Sequence, residues 1–113
     1  MGFWGADVLE NDFACDFMGR LVEHLEEKID ASLKPEVIDY RDFAEALAGI
    51  YALRAILDLY PTAYETVAEK APGWKEKYLS QVDVFEDPDF RKSAEQEFQR
   101  LDELLEELIE AYE

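Results

Sequence analysis

The chain reads as an all-α protein, a single small helical bundle of four to five helices over residues 1–113. Three observations carry that reading. Apolar residues recur at helical spacing over long stretches, with no strand-like alternation and no internal repeat. Asn, Asp and Pro stand where helices should begin and end. The length of 113 residues suits one domain with one core, and 49% apolar and 13% aromatic residues can fill it.

The first helix is expected from about Asp12 to Leu33, with Asn11 or Asp12 capping its free N–H groups. At about 100° per residue, Phe13, Ala14, Phe17, Met18, Leu21, Val22, Leu25 and Ile29 share one face. Asp16, Arg20, Glu23, Glu26, Glu27 and Asp30 fill the other. LKPEVIDY (33–40) is the first connection, where Pro35 blocks continuation.

A second helix, about Asp39 to Leu59, is nearly apolar all round, which predicts the buried centre of the domain. Its Ala44, Ala48, Gly49, Ala52 and Ala55 would allow close approach of neighbours, and Pro61 ends it. The middle of the chain reads as two short helices broken at Pro72-Gly73. For the last helix Asp87 caps and Pro88 takes the first turn. Phe90, Ala94, Phe98, Leu101, Leu105, Leu108 and Tyr112 then form a seam, read as bundle core in preference to a dimer contact.

Charge is the strongest compositional signal: 28 acids against 11 bases, a formal −17 at pH 7. A field of that sign repels nucleic acid and anionic lipid and attracts basic proteins or cations. No apolar run approaches the ~20 residues of a membrane span, and no secretory leader is evident. The one cysteine, Cys15, cannot form an internal disulfide. A soluble cytoplasmic protein is the expectation.

Motifs for catalysis and metals are sparse. Cys15 and His24, the one available thiol–imidazole pair, sit on the same helix, about 180° and ~13 Å apart. A nucleophile needs its base within hydrogen-bond reach. One histidine is too few for a di-iron bundle or a Cys/His zinc site. Asp7, Glu10 and Asp12 do not follow EF-hand spacing, and Gly2 and Gly5 lack a phosphate-loop context. No catalytic residue, cofactor or metal is expected.

Two charge placements remain. Arg54 lies within the most apolar helix and needs an anionic partner if buried; Asp58, Asp12 and Asp16 are the candidates. Arg54→Leu is expected to be tolerated better than loss of that partner alone. At the C-terminus, Asp102, Glu103, Glu106, Glu107, Glu110 and Glu113 occur with no intervening base. Acids there oppose the helix macrodipole, so helix stability does not explain them. They form either a solvated face or a row of carboxylates offered to a basic partner, with Tyr112 or Trp74 as aromatic anchors.

The opening carries a specific pattern: Met1, Gly2, Trp4 and Gly5, then Asn11, Asp12, Ala14, Asp16 and Phe17. Phe3 and Trp4 read as an aromatic plug folded back onto the bundle, in preference to a ligand-binding lip, with Asp16 placed to accept from the turning N-terminal backbone or from the indole N–H of Trp4. The pattern resembles a family of small bacterial proteins catalogued as domain of unknown function 4259. AEALAGIYALRAIL is similar to that family's second helix. The resemblance covers roughly the first half of the chain, and the second half is more acidic than it would imply. It implies a bacterial origin and a helical fold, with no known cofactor and no activity to carry over.

The leading functional expectation is a non-enzymatic acidic module that binds a basic protein, in its most concrete form an immunity or inhibitor protein against a nuclease-like target. Asp102, Glu103, Glu106, Glu107, Glu110 and Tyr112 would carry the contact. A structural module that self-associates through the seam of the last helix is the alternative, and the oligomeric state, monomer or homodimer, is left open. An enzyme using the cluster Trp4, Asn11, Asp12, Asp16 and Arg54 is a third reading.

Overall fold

A computed structural model describes residues 7–113. Four α-helices form a small all-α bundle: α1 (Asp12–Leu33), α2 (Tyr40–Leu59), α3 (Tyr64–Gln81) and α4 (Pro88–Tyr112). Short 3₁₀ turns at Pro61–Ala63 and Val82–Phe85 complete the second and third connections. Each helix follows its predecessor as a hairpin, so the α1 N-terminus, the α2–α3 turn and the α4 C-terminus share one end. Around the bundle the order is α1, α2, α4, α3.

The caps of α1 and α4 fall where the sequence places them, and Asp39, expected as the first residue of α2, caps that helix. Asn11 is extended and accepts from the backbone N–H of Ala14 at 2.7 Å. Asp39 accepts from Asp42 at 2.8 Å, and Asp87 accepts from Asp89 and Phe90 ahead of Pro88. The α1–α2 connection is fastened from α3: the Gln81 side chain accepts from Ile38 N–H at 2.9 Å and donates to the Glu36 carbonyl at 2.8 Å.

Three expectations need correction. First, α3 runs unbroken through Pro72 and Gly73. Pro72 lies on the exposed side, while Val67, Ala71, Trp74 and Tyr78 of the same helix are buried. A mid-helix proline costs about 3 kcal/mol or more. Burying three large side chains at roughly 1.5–3 kcal/mol each outweighs that. Second, α2 is buried on one side only. Phe43, Ala46, Ile50, Leu53 and Leu57 are enclosed, but Ala44, Ala48 and Ala55 are exposed and Tyr51 is 61% exposed. Alanine and tyrosine at a helix surface cost little, so an apolar sequence does not force burial.

Third, the α1 apolar face is covered only in its C-terminal part. Val22 is the first fully buried residue, followed by Glu26, Ile29, Ser32 and Leu33, whereas Phe13 and Phe17 are exposed. The overall dimensions are 53 × 25 × 20 Å.

The core joins α2, α3 and α4 through edge-to-face rings: Phe43–Tyr78 at 4.7 Å, Tyr78–Phe98 at 5.4 Å and Phe43–Phe85 at 5.1 Å. Of the α4 seam, Ala94, Phe98, Leu101, Leu105 and Leu108 are buried inside the bundle. Between α1 and α2, a Cβ on Gly49 would sit 2.8 Å from Ile29 Cγ1, so glycine sets how closely these helices approach.

Candidate functional site

The α4 C-terminal half carries the densest charge. On a helical wheel Asp102, Glu103, Glu106, Glu107, Glu110 and Glu113 fall within a sector of about 140°, opposite the buried Leu101, Leu105 and Leu108. Asp102 pairs with Lys75 of α3 at 3.0 Å. Glu103 accepts from Gln99, a neutral donor, at 3.0 Å. The remaining four acids are exposed and make no salt bridge among the described residues.

One flank of this row is acidic and the other mixed. Toward α3, Glu65 and Glu69 line a groove with Ile109 and Glu113. Toward α2, Arg54 and Arg100 face Asp58, Glu103 and Glu107. The α3 flank therefore extends the anionic field, and the α2 flank bounds it.

Of the two aromatic anchors expected here, one is in place. Tyr112 is 51% exposed and stacks on the buried Tyr64 ring at 5.9 Å. Burial, together with the carboxylates of Glu113 and Glu65, pushes the Tyr64 hydroxyl pKa up. Trp74 is buried, and its indole N–H donates to Asp30 Oδ1 at 2.7 Å. It is a core residue that seals α3 against α1.

Of the described members of the motif cluster, Arg54 is bonded to none of Asn11, Asp12 and Asp16. Asn11, Asp12 and Asp16 stand at the start of α1. Asn11 caps the helix and donates to the Val8 carbonyl at 3.3 Å, and the Cys15 thiol donates to the Leu9 carbonyl at 3.3 Å. These bonds tie the preceding turn to the helix. Asp16 is exposed and makes no hydrogen bond among the described residues. Trp4 and Phe3, with the aromatic plug and the indole contact expected for them, lie outside the described residues.

Arg54 is paired with neither Asp58, Asp12 nor Asp16. Its guanidinium donates through Nε to Glu97 Oε2 at 2.6 Å and through a terminal nitrogen to Oε1 at 3.3 Å, and it lies 5.5 Å from the Tyr51 ring centre. The bond to Glu97, against the opposing pull of burial, holds its pKa above the usual arginine value. The acid is the more buried partner, with side-chain exposure of 9% against 23% for Arg54. This argues against the expected order of tolerance, because removing Arg54 would strand the more deeply buried charge.

Two carboxylates are buried: Glu97, not singled out from the sequence, and Glu26, expected on the polar face of α1 but enclosed instead. The signal for Glu26 was spacing: it stands four residues after Val22 and three before Ile29, on the stripe that α1 buries. Its Oε1 accepts from the Thr66 hydroxyl at 3.2 Å, and its Oε2 is buried without a partner. Burial pushes its pKa up, with Thr66 and Lys70 pulling the other way.

Among the described residues, no group of three or more His, Cys, Asp or Glu is placed to hold a metal ion. No helix there is long and apolar enough to cross a membrane. No curated protein and no solved structure matches the chain. The family pattern described as "Domain of unknown function (DUF4259)" matches residues 2–113, so it reaches well past the first half of the sequence, and the chain belongs to that family.

Proposed function

We propose that the protein is a non-enzymatic acidic binding module whose α4 C-terminal face engages a basic protein. The observation that supports this most directly is the sector of six acids, of which only Asp102 makes a salt bridge among the described residues. Carboxylates in such a row present acceptors at spacings that suit Lys and Arg side chains. The surrounding field steers a basic partner into contact at rates that fall with salt. An immunity or inhibitor protein occupying the basic cleft of a nuclease-like target is the most concrete form, in a bacterial cytoplasm. Tyr112 is the exposed ring at the end of the row.

The test is a pull-down from low-salt lysate with the wild-type chain and with Glu106→Lys/Glu110→Lys. Recovery of one basic protein by the wild type alone, released by salt, supports the reading. Equal recovery by both chains, or no basic protein at low salt, ends it.

The exposed α2 side, with Ala44, Ala48, Tyr51 and Ala55, favours a second reading as a self-associating structural module. The α4 seam is already filled inside the bundle. Light scattering that gives one chain's mass across a wide concentration range disposes of self-association.

A further inference from the structure

An open groove of about 310 Å³ runs between α1 and the start of α3. Val22 and Glu26 are its buried members, Glu23 and Glu65 are exposed acids on its α1 and α3 sides, and Thr62 and Thr66 add hydroxyls. Glu26 is 3% exposed, yet its Oε2 has no hydrogen-bond partner. Buried carboxylate oxygens are ordinarily matched by donors. The base whose charge reaches Glu26 is Lys70, and its ammonium is already held by Asp30 at 2.8 Å.

We propose that this groove binds a primary ammonium or guanidinium group, which draws the buried Glu26 carboxylate into a hydrogen bond through its unpartnered Oε2 while Glu23 and Glu65 supply flanking negative charge. Such a cation brings both the positive charge and the N–H donor that the carboxylate lacks. The described residues offer no cluster of ligands fit for a metal ion, so a hydrogen-bonding cation is the better match. Gly19, Val22 and Ala63 give the groove small and apolar walls that accommodate a methylene stem. The site does not depend on the protein partner proposed above, since a free amine suffices to fill it.

The experiment is an amide NMR titration of the full chain with butylammonium chloride, against tetramethylammonium and sodium chloride at matched ionic strength. Saturating shifts at Glu23, Glu26, Thr62, Glu65 and Thr66 are expected with butylammonium alone. Glu26→Gln should weaken binding roughly tenfold, about one charge-assisted contact, while Glu76→Gln, at an exposed position of α3 outside the groove, leaves it unchanged. Should Glu26→Gln fail to fold, Glu23→Gln/Glu65→Gln changes two exposed residues and should weaken binding by roughly threefold. A second arm compares Nα-acetyl-lysine amide with a free diamine. Tighter binding of the first points to a protein side chain and of the second to a small-molecule amine, and either ranking upholds the site. Shifts spread over every acidic surface, or unchanged by Glu26→Gln or the double variant, or equal with tetramethylammonium, overturn it.

Discussion

The bundle has two opposite seams, α2 against α4 and α1 against α3, and each encloses one carboxylate in different company. Glu97 faces α2 and receives a two-point guanidinium contact from Arg54. Glu26 faces α3 and receives one hydroxyl from Thr66 on one oxygen only. The base available on that side, Lys70, bonds to Asp30, which Trp74 also engages. Burial imposes a similar demand on both acids, and the facing helix decides whether it is met. One turn of offset between Glu26 and Asp30 separates an incompletely matched carboxylate from a well-matched one.

The largest effect should come from the core rings that join α2 to α3 and the turn after it, across the seam that Glu97 and Arg54 flank. Phe43→Ala removes a buried ring packed on Tyr78 and Phe85, and should cost about 3–5 kcal/mol in urea unfolding. A loss below ~1 kcal/mol would mean that this side is not the core.

Next comes the ion pair. Arg54→Leu should destabilise by about 2–3 kcal/mol, because it leaves Glu97 buried without a cation. Glu97→Gln should cost roughly half as much, since Arg54 is partly exposed and keeps its place beside Tyr51. The reverse order would show that the guanidinium carries the burial penalty.

On the α1–α3 side, Trp74→Phe deletes the donor to Asp30 and puts a smaller ring in a buried site. A loss of at least about 1 kcal/mol is expected, the hydrogen-bond part at the low end for a charged acceptor because Asp30 reaches solvent, with a cavity cost added. No loss would make that hydrogen bond incidental to the seam.

The smallest effects lie in the pH dependence, where the two acids of α1 act with opposite sign. Burial raises the Glu26 pKa, so its contribution is fully present below the ordinary glutamate value and fades as pH rises through the raised one. For Asp30, burial pushes upward but hydrogen bonds from Lys70 and Trp74 prevail, and its pKa is lowered. Its contribution is present above the ordinary aspartate value and is lost as pH falls through the lowered one. Glu26→Gln should therefore flatten the decline in stability on the upper side of the carboxylate range, and Asp30→Asn the decline on the acid side. Thermal melts across that range check both.

The parts of this fold that were legible in the sequence share a local cause. Asn11, Asp39 and Asp87 cap helices through bonds to residues two or three positions away. The α4 seam was readable because its two faces differ in chemistry. The acidic sector was readable for the same reason, since six acids within twelve residues fix their own geometry. In α2 the faces barely differ, so periodicity could not say that Ala48 and Tyr51 point outward. Pro72 was read as a break because its cost is local while the compensation comes from contacts with other helices.

The sequence by itself determined the helical class, the starts of three helices, the inward face of α4 and the net charge, all through interactions within a turn or two of chain. Tertiary structure alone decided which side of α2 is covered, that α3 continues through its proline, that Arg54 meets Glu97, and that Glu26 is buried with one oxygen unmatched. Those outcomes join residues about 40 positions apart. Helix packing sets their separation, and no local propensity encodes it.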